Sequence, residues 1–236
     1  MMEMAETELA ADLFGSAVAP HPVHKQLALP LTWCRSAHES DGAFLVGDSN
    51  AIAARHLQRF DEWTAPATIL IGPHGSGKSL LAKLFVAACA GEVVDSIEHA
   101  DENAMFHAWN RAQSGGHRLL IIANAREQVD AVQLPDLRTR LKTAPIVMIG
   151  DPDANLSAAL IERLLHGRGL AHAPVLANYI TQRIERSYAA IHAAVDAIVA
   201  LALASGRPLG TRLAREAMID AGLYQAADSV DAGFDT

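Results

Sequence analysis

The sequence predicts an α/β fold, in which a parallel sheet covered by helices is followed by an all-helical region. Three observations support this prediction. Short apolar runs alternate with helical segments between residues 67 and 150, and one strand-to-helix junction is a glycine-rich loop. After Gly150 every segment has a helical pattern. Such alternation is typical of parallel sheets whose strands are joined by covering helices.

The elements follow in a regular order along the chain. "NAIAARHLQRF" predicts a helix with Asn50 as its N-cap. Four strands are predicted in "ATILIG", "EVVDS", "HRLLIIAN" and "PIVMIG". The helices between them are "KSLLAKLFVAACA", "DENAMFHAWNRAQS", which Gly115 and Gly116 close, and "LPDLRTRL". The later helices are "ANLSAALIERLLHGRG", "APVLANYITQRI", "RSYAAIHAAVDAIVALALASG" and "TRLAREAMIDAG".

This order predicts four regions. Residues 1–37 form an extended tail, because "AVAPHPVHKQLALPLTW" contains three prolines and lacks helical periodicity. Residues 38–151 form the α/β region, and residues 152–222 form a small helical subdomain. Residues 223–236 are an acidic end.

Composition excludes several classes of protein. The formal net charge is -8, with 19 Lys and Arg against 27 Asp and Glu, which disfavours autonomous, sequence-specific DNA binding. The two cysteines, Cys34 and Cys89, are not spaced for zinc or for a disulfide framework, so we expect a reducing, cytoplasmic environment. The N-terminus lacks the basic residues of a signal peptide, and "AAVDAIVALALA" is too short for a membrane span.

The most specific motif is "GPHGSGKS", which matches the phosphate-binding pattern G-x-x-x-x-G-K-[ST] between a strand and a helix. Its residues are Gly72, Pro73, His74, Gly75, Ser76, Gly77, Lys78 and Ser79. In such a loop backbone N–H groups surround the phosphates, the lysine reaches the β and γ phosphates, and the serine hydroxyl can bind Mg²⁺. An ordinary glycine-rich turn is the alternative interpretation. We therefore expect ATP or ADP, with Mg²⁺.

Hydrolysis also requires a carboxylate near the metal and a polar group near the attacking water. Asp95 ends the second strand and is the candidate metal ligand, although Ser96 stands where a second acid is usual. Asn124 ends the third strand and is the candidate γ-phosphate or water contact. Glu98 and Asp101 are further acids close in sequence. Capping a helix or forming a turn is the alternative role for Asp95 and Asn124.

The segments around this loop resemble the AAA+ ATPases of the DnaA initiator class, and more closely the DnaA-homologous regulators known as Hda. The similar stretches are "FLVGDSNAIAARHL", "AMFHAWNRAQSGGHRLLIIAN" and "LPDLRTRL". This resemblance implies an AAA+ sheet and a helical lid. It places Phe44, Val46 and Gly47 against the adenine, and it implies an arginine finger at Arg140, with Arg138 as a nearby candidate.

The resemblance also implies a function for the segment "QLALPL" in the tail. In Hda proteins such a peptide binds the replicative sliding clamp, and here Gln26, Leu27, Leu29, Pro30 and Leu31 carry it. An extended segment can place its leucines in an apolar groove of a partner. The alternative is that these leucines pack against their own domain.

The chain departs from the family pattern in three places, and the departures at Ser96 and Ala189 weaken the expectation of efficient hydrolysis by this chain. Asp95 follows Lys78 by only 17 positions, so the sheet should be reduced to about four strands. The late-helix arginine of the family falls at Ala189, one helical turn from Arg186. We therefore expect a regulator that binds the clamp and stimulates hydrolysis by DnaA, and that is a candidate homo-oligomer. The alternatives are a stand-alone ATPase that acts on a replication partner, and a scaffold that no longer binds nucleotide.

Overall fold

The chain divides into two compact units, with the boundary between Asp151 and Pro152. A computed structural model describes residues 27–29, 44–170 and 174–225. The first unit contains the sheet and the glycine-rich loop, and the second contains only helices.

The main sheet of the first unit has four parallel strands, which are β3 (Ala67–Ile71), β4 (Glu92–Val94), β5 (Leu119–Ala123) and β6 (Ile146–Met148). Their order across the sheet is β4-β5-β3-β6. Every residue of β3 and β5 is buried. Helices cover both faces of these central strands, and residues on both faces are therefore mostly apolar. The short connection from Lys78 to Asp95 leaves no room for a fifth strand.

Helices cover both faces of this sheet. On one face lie α1 (Ala51–Gln58), followed by the short 3-10 turn Phe60–Glu62, and α2 (Lys78–Cys89). On the other lie α3 (Glu102–Gly115), α4 (Arg126–Asp130) and α5 (Pro135–Thr143). The alternation of side chains along β3 explains this division. Ile69 packs in a buried cluster with α3 and α5, whereas the hydroxyl of Thr68 contacts the α1 residue His56.

Local signals set several helix ends. The Asp101 side chain accepts a hydrogen bond from the Asn103 N–H at 3.0 Å, which caps α3, and Gly116 ends that helix with φ +69°. α5 begins at Pro135, as expected for a proline that lacks an N–H. α4 is five residues long and is not among the helices that the sequence predicts.

The second unit is a helical bundle. It contains α6 (Ala154–Gly167), α7 (Pro174–Thr181), α8 (Tyr188–Ser205) and α9 (Thr211–Asp220). Buried aliphatic residues from all four helices form one core. Among the described helices, α8 alone is long and apolar enough to cross a membrane, with a mean hydropathy of 1.7. That is weak evidence for a span, because core helices of soluble proteins meet the same criterion, and α8 supplies much of this core.

A two-stranded ladder precedes α1. Here β1 (Leu27–Leu29) pairs antiparallel with β2 (Phe44–Val46), and Leu27 lies opposite Val46. The sequence predicts extended backbone in this part of the tail but not its pairing with residues 44–46. The backbone of two residues of the predicted clamp peptide, Leu27 and Leu29, therefore lies beside the strand that leads into the first helix.

Candidate functional site

The predicted phosphate loop and two predicted polar residues meet at one edge of the sheet. The loop follows β3, Asp95 follows β4 and Asn124 follows β5. Because these strands are parallel and Ile71 pairs with Ala123, their carboxyl ends lie at the same edge. Ligands of open α/β sheets bind at this edge.

Glycines shape the loop between β3 and α2. Gly75 and Gly77 have φ values of +79° and +87°, which residues with a Cβ rarely adopt. Space is short as well, since a Cβ at Gly77 would lie 2.9 Å from Cε2 of Phe44. A Cβ at Gly72 would lie 2.9 Å from the Cβ of Ile149. Conformation therefore requires glycine at position 75, packing requires it at position 72, and both require it at position 77.

Lys78 is the first residue of α2 and is buried, with 7% of its surface exposed. Its Nζ donates to the carbonyl oxygens of Gly72 and Pro73, each at 2.7 Å. Burial lowers the pKa of Lys78, and the nearby carboxylate of Asp95 acts against that shift. The ammonium group is thus held inside its own loop by neutral carbonyl groups, which phosphate oxygens can replace.

The loop also contains a polar atom that lacks a partner. The Oγ atom of Ser76 is buried and has no hydrogen-bond partner among the described residues. Gly77 precedes α2, so the first N–H groups of this helix have no intrahelical acceptors and point toward the loop. An unpartnered hydroxyl, free helix N–H groups and a buried ammonium together form a donor set that fits a phosphate chain.

The metal-binding residues predicted from the sequence, Ser79 and Asp95, are both exposed. Asp95 lies in an irregular part of the sheet edge. Val94 pairs with Ile121, and the next bond of the ladder runs from the Ile97 N–H to the Ile122 carbonyl at 2.9 Å. Asp95 and Ser96 form a bulge between these two points, and Ser96 has φ +60°. Ser96 therefore occupies a turn conformation rather than a regular strand position.

Asn124 belongs to a polar network that the sequence only partly reveals. Its Nδ2 donates to Oε1 of Glu98 at 3.3 Å, and its N–H donates to Oε1 of Gln128 at 2.7 Å. The Nε2 of Gln128 donates to the other carboxylate oxygen of Glu98. Glu98 is thus held beside Asn124. Gln128 was not predicted, because it lies on α4, whose five residues are too few for a clear periodicity. Asp101, the other acid considered, caps α3.

The residues that the resemblance places against adenine lie directly before α1. Phe44 is buried against Gly77, whereas Val46 and Gly47 are half-buried. Asn50 precedes the first residue of α1, as predicted, but its side chain does not cap the helix. Instead, Asn50 Oδ1 accepts from the Gly47 N–H and Nδ2 donates to the Leu45 carbonyl, each at 2.9 Å. The predicted N-cap thus fixes the turn before the helix.

The two candidate finger residues on α5 differ in environment. Arg140 is half-buried, and its Nη1 donates to Oδ1 of Asn110 at 2.5 Å. Its guanidinium also lies 4.5 Å from the centre of the Phe106 ring. Arg138 is exposed. Asn110 and Phe106 are one helical turn apart on α3, so this helix orients Arg140 without a carboxylate among these contacts.

Other predicted residues belong to the second unit or to the tail. Arg186 and Ala189 are exposed residues of the second unit, beside the start of α8. Of the predicted clamp peptide, Gln26, Pro30 and Leu31 lie outside the described residues, and Leu27 and Leu29 belong to β1.

Comparison with known proteins gives the fold. No protein-family model matches the sequence. Domain III of the Thermotoga maritima replication initiation protein DnaA is similar with a TM-score of 0.61 and 13% identity, over 75% of this chain and 94% of that chain. Replication initiator DnaA bound to AMPPCP and single-stranded DNA has a TM-score of 0.51 and 14% identity, over 66% of this chain and 63% of that chain. The RuvB Holliday junction branch migration motor of Thermotoga maritima also has a TM-score of 0.51 and 14% identity, over 74% and 70%.

The chain has a DnaA-like AAA+ fold. The predicted fold class, a reduced sheet of four parallel strands with a helical subdomain, is confirmed. At 13–14% identity the similarity concerns the fold, and the ligand and partners of this chain have to be argued from its own residues.

Proposed function

We propose that this protein is a nucleotide-binding AAA+ regulator of the initiation of DNA replication. It belongs to the Hda type, is tethered to the sliding clamp, and promotes ATP hydrolysis by a DnaA protomer. It acts in the cytoplasm and does not itself read a DNA sequence. The single observation that carries the proposal is the environment of Arg140, a positively charged group that α3 holds through an amide and an aromatic ring.

The nucleotide is held by the loop from Gly72 to Ser79. Lys78 exchanges the carbonyl groups of its own loop for phosphate oxygens, and Ser76 gains a partner for its buried hydroxyl. Ser79 and Asp95 supply oxygen ligands for Mg²⁺, which neutralises charge on the phosphates. Phe44, Val46 and Gly47 flank the adenine.

Hydrolysis of the chain's own nucleotide is weak in this proposal. Ser96 replaces the usual second acid, and a neutral hydroxyl lacks the basic carboxylate that accepts a proton from water. Ala189 cannot supply the positive charge that the family places there. The bound nucleotide instead stabilises the loop and the surface that meets DnaA.

Arg140 acts on the nucleotide of the partner. A guanidinium that is not neutralised by a carboxylate keeps its charge for a transferred phosphoryl group, and such a finger raises the rate by about 10³ to 10⁵. Contacts with Asn110 and Phe106 limit the conformations of the side chain before the partner binds. Less conformational entropy is then lost when it reaches the phosphate.

The clamp contact is assigned to residues 26–31. The backbone of Leu27–Leu29 is extended, which is the form in which a peptide presents alternate side chains to a groove. Tethering raises the local concentration of the AAA+ body near DNA-bound DnaA, in the millimolar range for short flexible linkers. We expect changes of Gln26, Leu27 and Leu29 to alanine to abolish retention on clamp-loaded DNA.

The decisive experiment measures ATP hydrolysis by DnaA with clamp loaded on DNA. Wild-type protein should stimulate hydrolysis, and Arg140→Ala should return the rate to its unstimulated level while still binding clamp and nucleotide. Arg138→Ala is the matched control on the same helix and should stimulate normally. Full stimulation by Arg140→Ala, or loss only in Arg138→Ala, contradicts the assignment of the finger. Absence of stimulation by the wild type refutes the proposed function.

A stand-alone ATPase is a second candidate, and the polar network around Glu98 favours it. Glu98, Asn124 and Gln128 together could orient a water at the carboxyl edge of the sheet. In that case the purified protein alone should hydrolyse ATP, and both Lys78→Ala and Glu98→Gln should remove this activity. Negligible turnover by the wild-type protein eliminates this candidate.

A scaffold without nucleotide is the third candidate. Nucleotide at 100 times its dissociation constant should stabilise a true binder by about 2.7 kcal/mol. A melting temperature that does not change with ATP or ADP, in wild type and in Lys78→Ala alike, would favour the scaffold.

A further inference from the structure

A groove runs along α1, away from the phosphate loop, with a cavity volume of about 320 Å³. Ile52, Arg55 and His56 form a stripe on one side of α1, and Arg59 at the C-cap continues it. Glu62, Trp63, Thr64 and Pro145 also line the groove. We call this feature the α1 groove. No role at the nucleotide site explains it.

The interior of the α1 groove is rigid and apolar. Trp63 is stacked between His56 and Phe85, with ring centres 5.0 Å and 5.4 Å apart. Its Nε1 donates to the His56 carbonyl at 2.8 Å. Burial lowers the pKa of His56, and its Nε2 lies 3.0 Å from the Thr68 hydroxyl. Burial thus disfavours the charged form of His56, and its ring adds an aromatic surface to the α1 groove.

The rim of the α1 groove is basic and apolar. Ile52 is 72% exposed and gives the rim its apolar surface. Within the described ranges no carboxylate lies within 4 Å of the Arg55 guanidinium. Arg59 forms only an exposed, 3.5 Å contact with Glu62, and such contacts contribute little. Asp61 and Glu62 are the acidic groups of the adjoining turn, and Arg55 remains uncompensated. An apolar segment that carries negative charge matches this rim.

The first fourteen residues of the chain have this chemistry. "MMEMAETELAADLF" contains Glu3, Glu6, Glu8 and Asp12, and no Lys or Arg precedes Lys25. Leu9 and Leu13 are four positions apart, so a helical turn would place them on one side. This is an acidic amphipathic pattern that the nucleotide site and the clamp peptide leave unexplained.

The chain is long enough to bring this segment to the α1 groove. Leu27 lies opposite Val46, and α1 begins five residues after Val46. The twelve residues between Phe14 and Leu27 can span about 40 Å. The whole of α1 is only about 12 Å long. An intramolecular contact at this separation benefits from an effective concentration in the millimolar range, so a weak intrinsic affinity is enough to populate it.

We propose that the α1 groove binds residues 1–14 of the same chain. Leu9 and Leu13 pack on the exposed Ile52 beside the buried Trp63, and the glutamates lie opposite Arg55 and Arg59. The inference does not depend on the proposed function, since it requires neither a bound nucleotide nor a clamp contact; it uses Leu27 only as the point from which the length of the preceding segment is measured.

The test is disulfide mapping in the full-length protein. A Cys34→Ser background carries Leu9→Cys together with Ile52→Cys, and the matched control carries Leu9→Cys with Lys142→Cys, an exposed position on the other face of the sheet. Cys89 is half-buried and its pKa is raised to about 11, so it reacts slowly. Under diamide, the 9/52 pair should form an intramolecular disulfide at least tenfold faster than the 9/142 pair.

Charge reversal then identifies the contacts. Arg55→Glu with Arg59→Glu should slow the 9/52 cross-link about tenfold, and adding Glu6→Arg with Glu8→Arg should restore it. Arg111→Glu with Arg126→Glu is the control, because it makes the same charge change on the other face. Glu6→Arg with Glu8→Arg alone should also slow the reaction, and this variant leaves the folded body unaltered.

Three outcomes overturn the proposal. Equal rates for the 9/52 and 9/142 pairs mean that residues 1–14 do not prefer the groove. Disulfide-linked dimers in place of the intramolecular product assign the groove to a second copy of the chain. If none of the charge reversals changes the rate of the 9/52 cross-link, the contact between the glutamates and Arg55 and Arg59 is refuted.

Discussion

Gly77→Ala tests how closely the phosphate loop is packed against the segment before α1. The alanine has to adopt a φ near +87°, and its Cβ lies 2.9 Å from Cε2 of the buried Phe44 ring. The positive φ and the contact with Phe44 both oppose the substitution. The two effects can be separated, because another glycine of the same unit has a positive φ but no close contact. Gly116 has φ +69° and nothing within 4 Å of a Cβ.

The two glycines therefore predict different losses. A residue with a Cβ in the left-handed region costs about 1–2 kcal/mol, and this term applies to both positions. Overpacking against Phe44 adds about 1–3 kcal/mol at Gly77 alone. The smaller conformational freedom of alanine in the unfolded chain, about 0.4–1 kcal/mol, is common to both and cancels in the comparison. We expect Gly77→Ala to reduce the free energy of unfolding by about 1–3 kcal/mol more than Gly116→Ala, and by about 1–4.6 kcal/mol overall once the gain from the unfolded chain is subtracted.

The measurement is urea unfolding followed by tryptophan fluorescence, since Trp63 and Trp109 are buried in the first unit. Phe44→Leu should recover part of the loss in Gly77→Ala, because a smaller side chain relieves the contact. A double-mutant cycle gives the coupling energy.

Two results refute the reasoning. One is equal destabilisation by Gly77→Ala and Gly116→Ala within about 0.5 kcal/mol, which is the usual error of additivity. The other is a double mutant in which the effects of Gly77→Ala and Phe44→Leu simply add. Either result means that the Phe44 ring does not lie against the loop.

Two further predictions concern the first unit. Asn50→Ala leaves the Gly47 N–H and Leu45 carbonyl without their buried partner and should cost about 2–4 kcal/mol in urea unfolding, whereas a loss below about 0.5 kcal/mol contradicts the role of this side chain. Burial raises the pKa of Cys89 to about 11, so only about a thousandth of the thiol is ionised at pH 8. Alkylation of Cys89, followed by peptide mass spectrometry, should accelerate about tenfold per pH unit up to pH 10, and a plateau near pH 9 would show an ordinary thiol.

The strands and most helices could be predicted because their signals are local. The continuous apolar runs of β3 and β5 require burial on both faces, and both strands are fully buried. The start of α3 follows from the Asp101 cap and its end from Gly116. The reduced sheet follows from the distance along the chain between Lys78 and Asp95, which admits one helix and one strand.

Other features have no local signal. α4 is too short to show periodicity, and for that reason Gln128 was absent from the predicted site. The side chain of Asn50 has the residue type of an N-cap, yet it bonds to the backbone before the helix. Asparagine is suited both to capping a helix and to bonding the backbone before it. Here the backbone of residues 45–47 lies close enough to accept and donate these bonds, and the side chain therefore makes them.

For the candidate site, the order of residues along the chain was enough to predict the glycine-rich loop, its position between a strand and a helix, and the polar residues at the strand ends. Those predictions depend on local order and on the conformations that glycine adopts. Three contacts became visible only in the folded chain: Glu98 lies beside Asn124, Lys78 is held by its own loop, and α3 orients Arg140 rather than Arg138. The contacts of Glu98 and Arg140 join residues that are far apart in sequence. They depend on how strands and helices pack, and a local sequence pattern does not predict that packing.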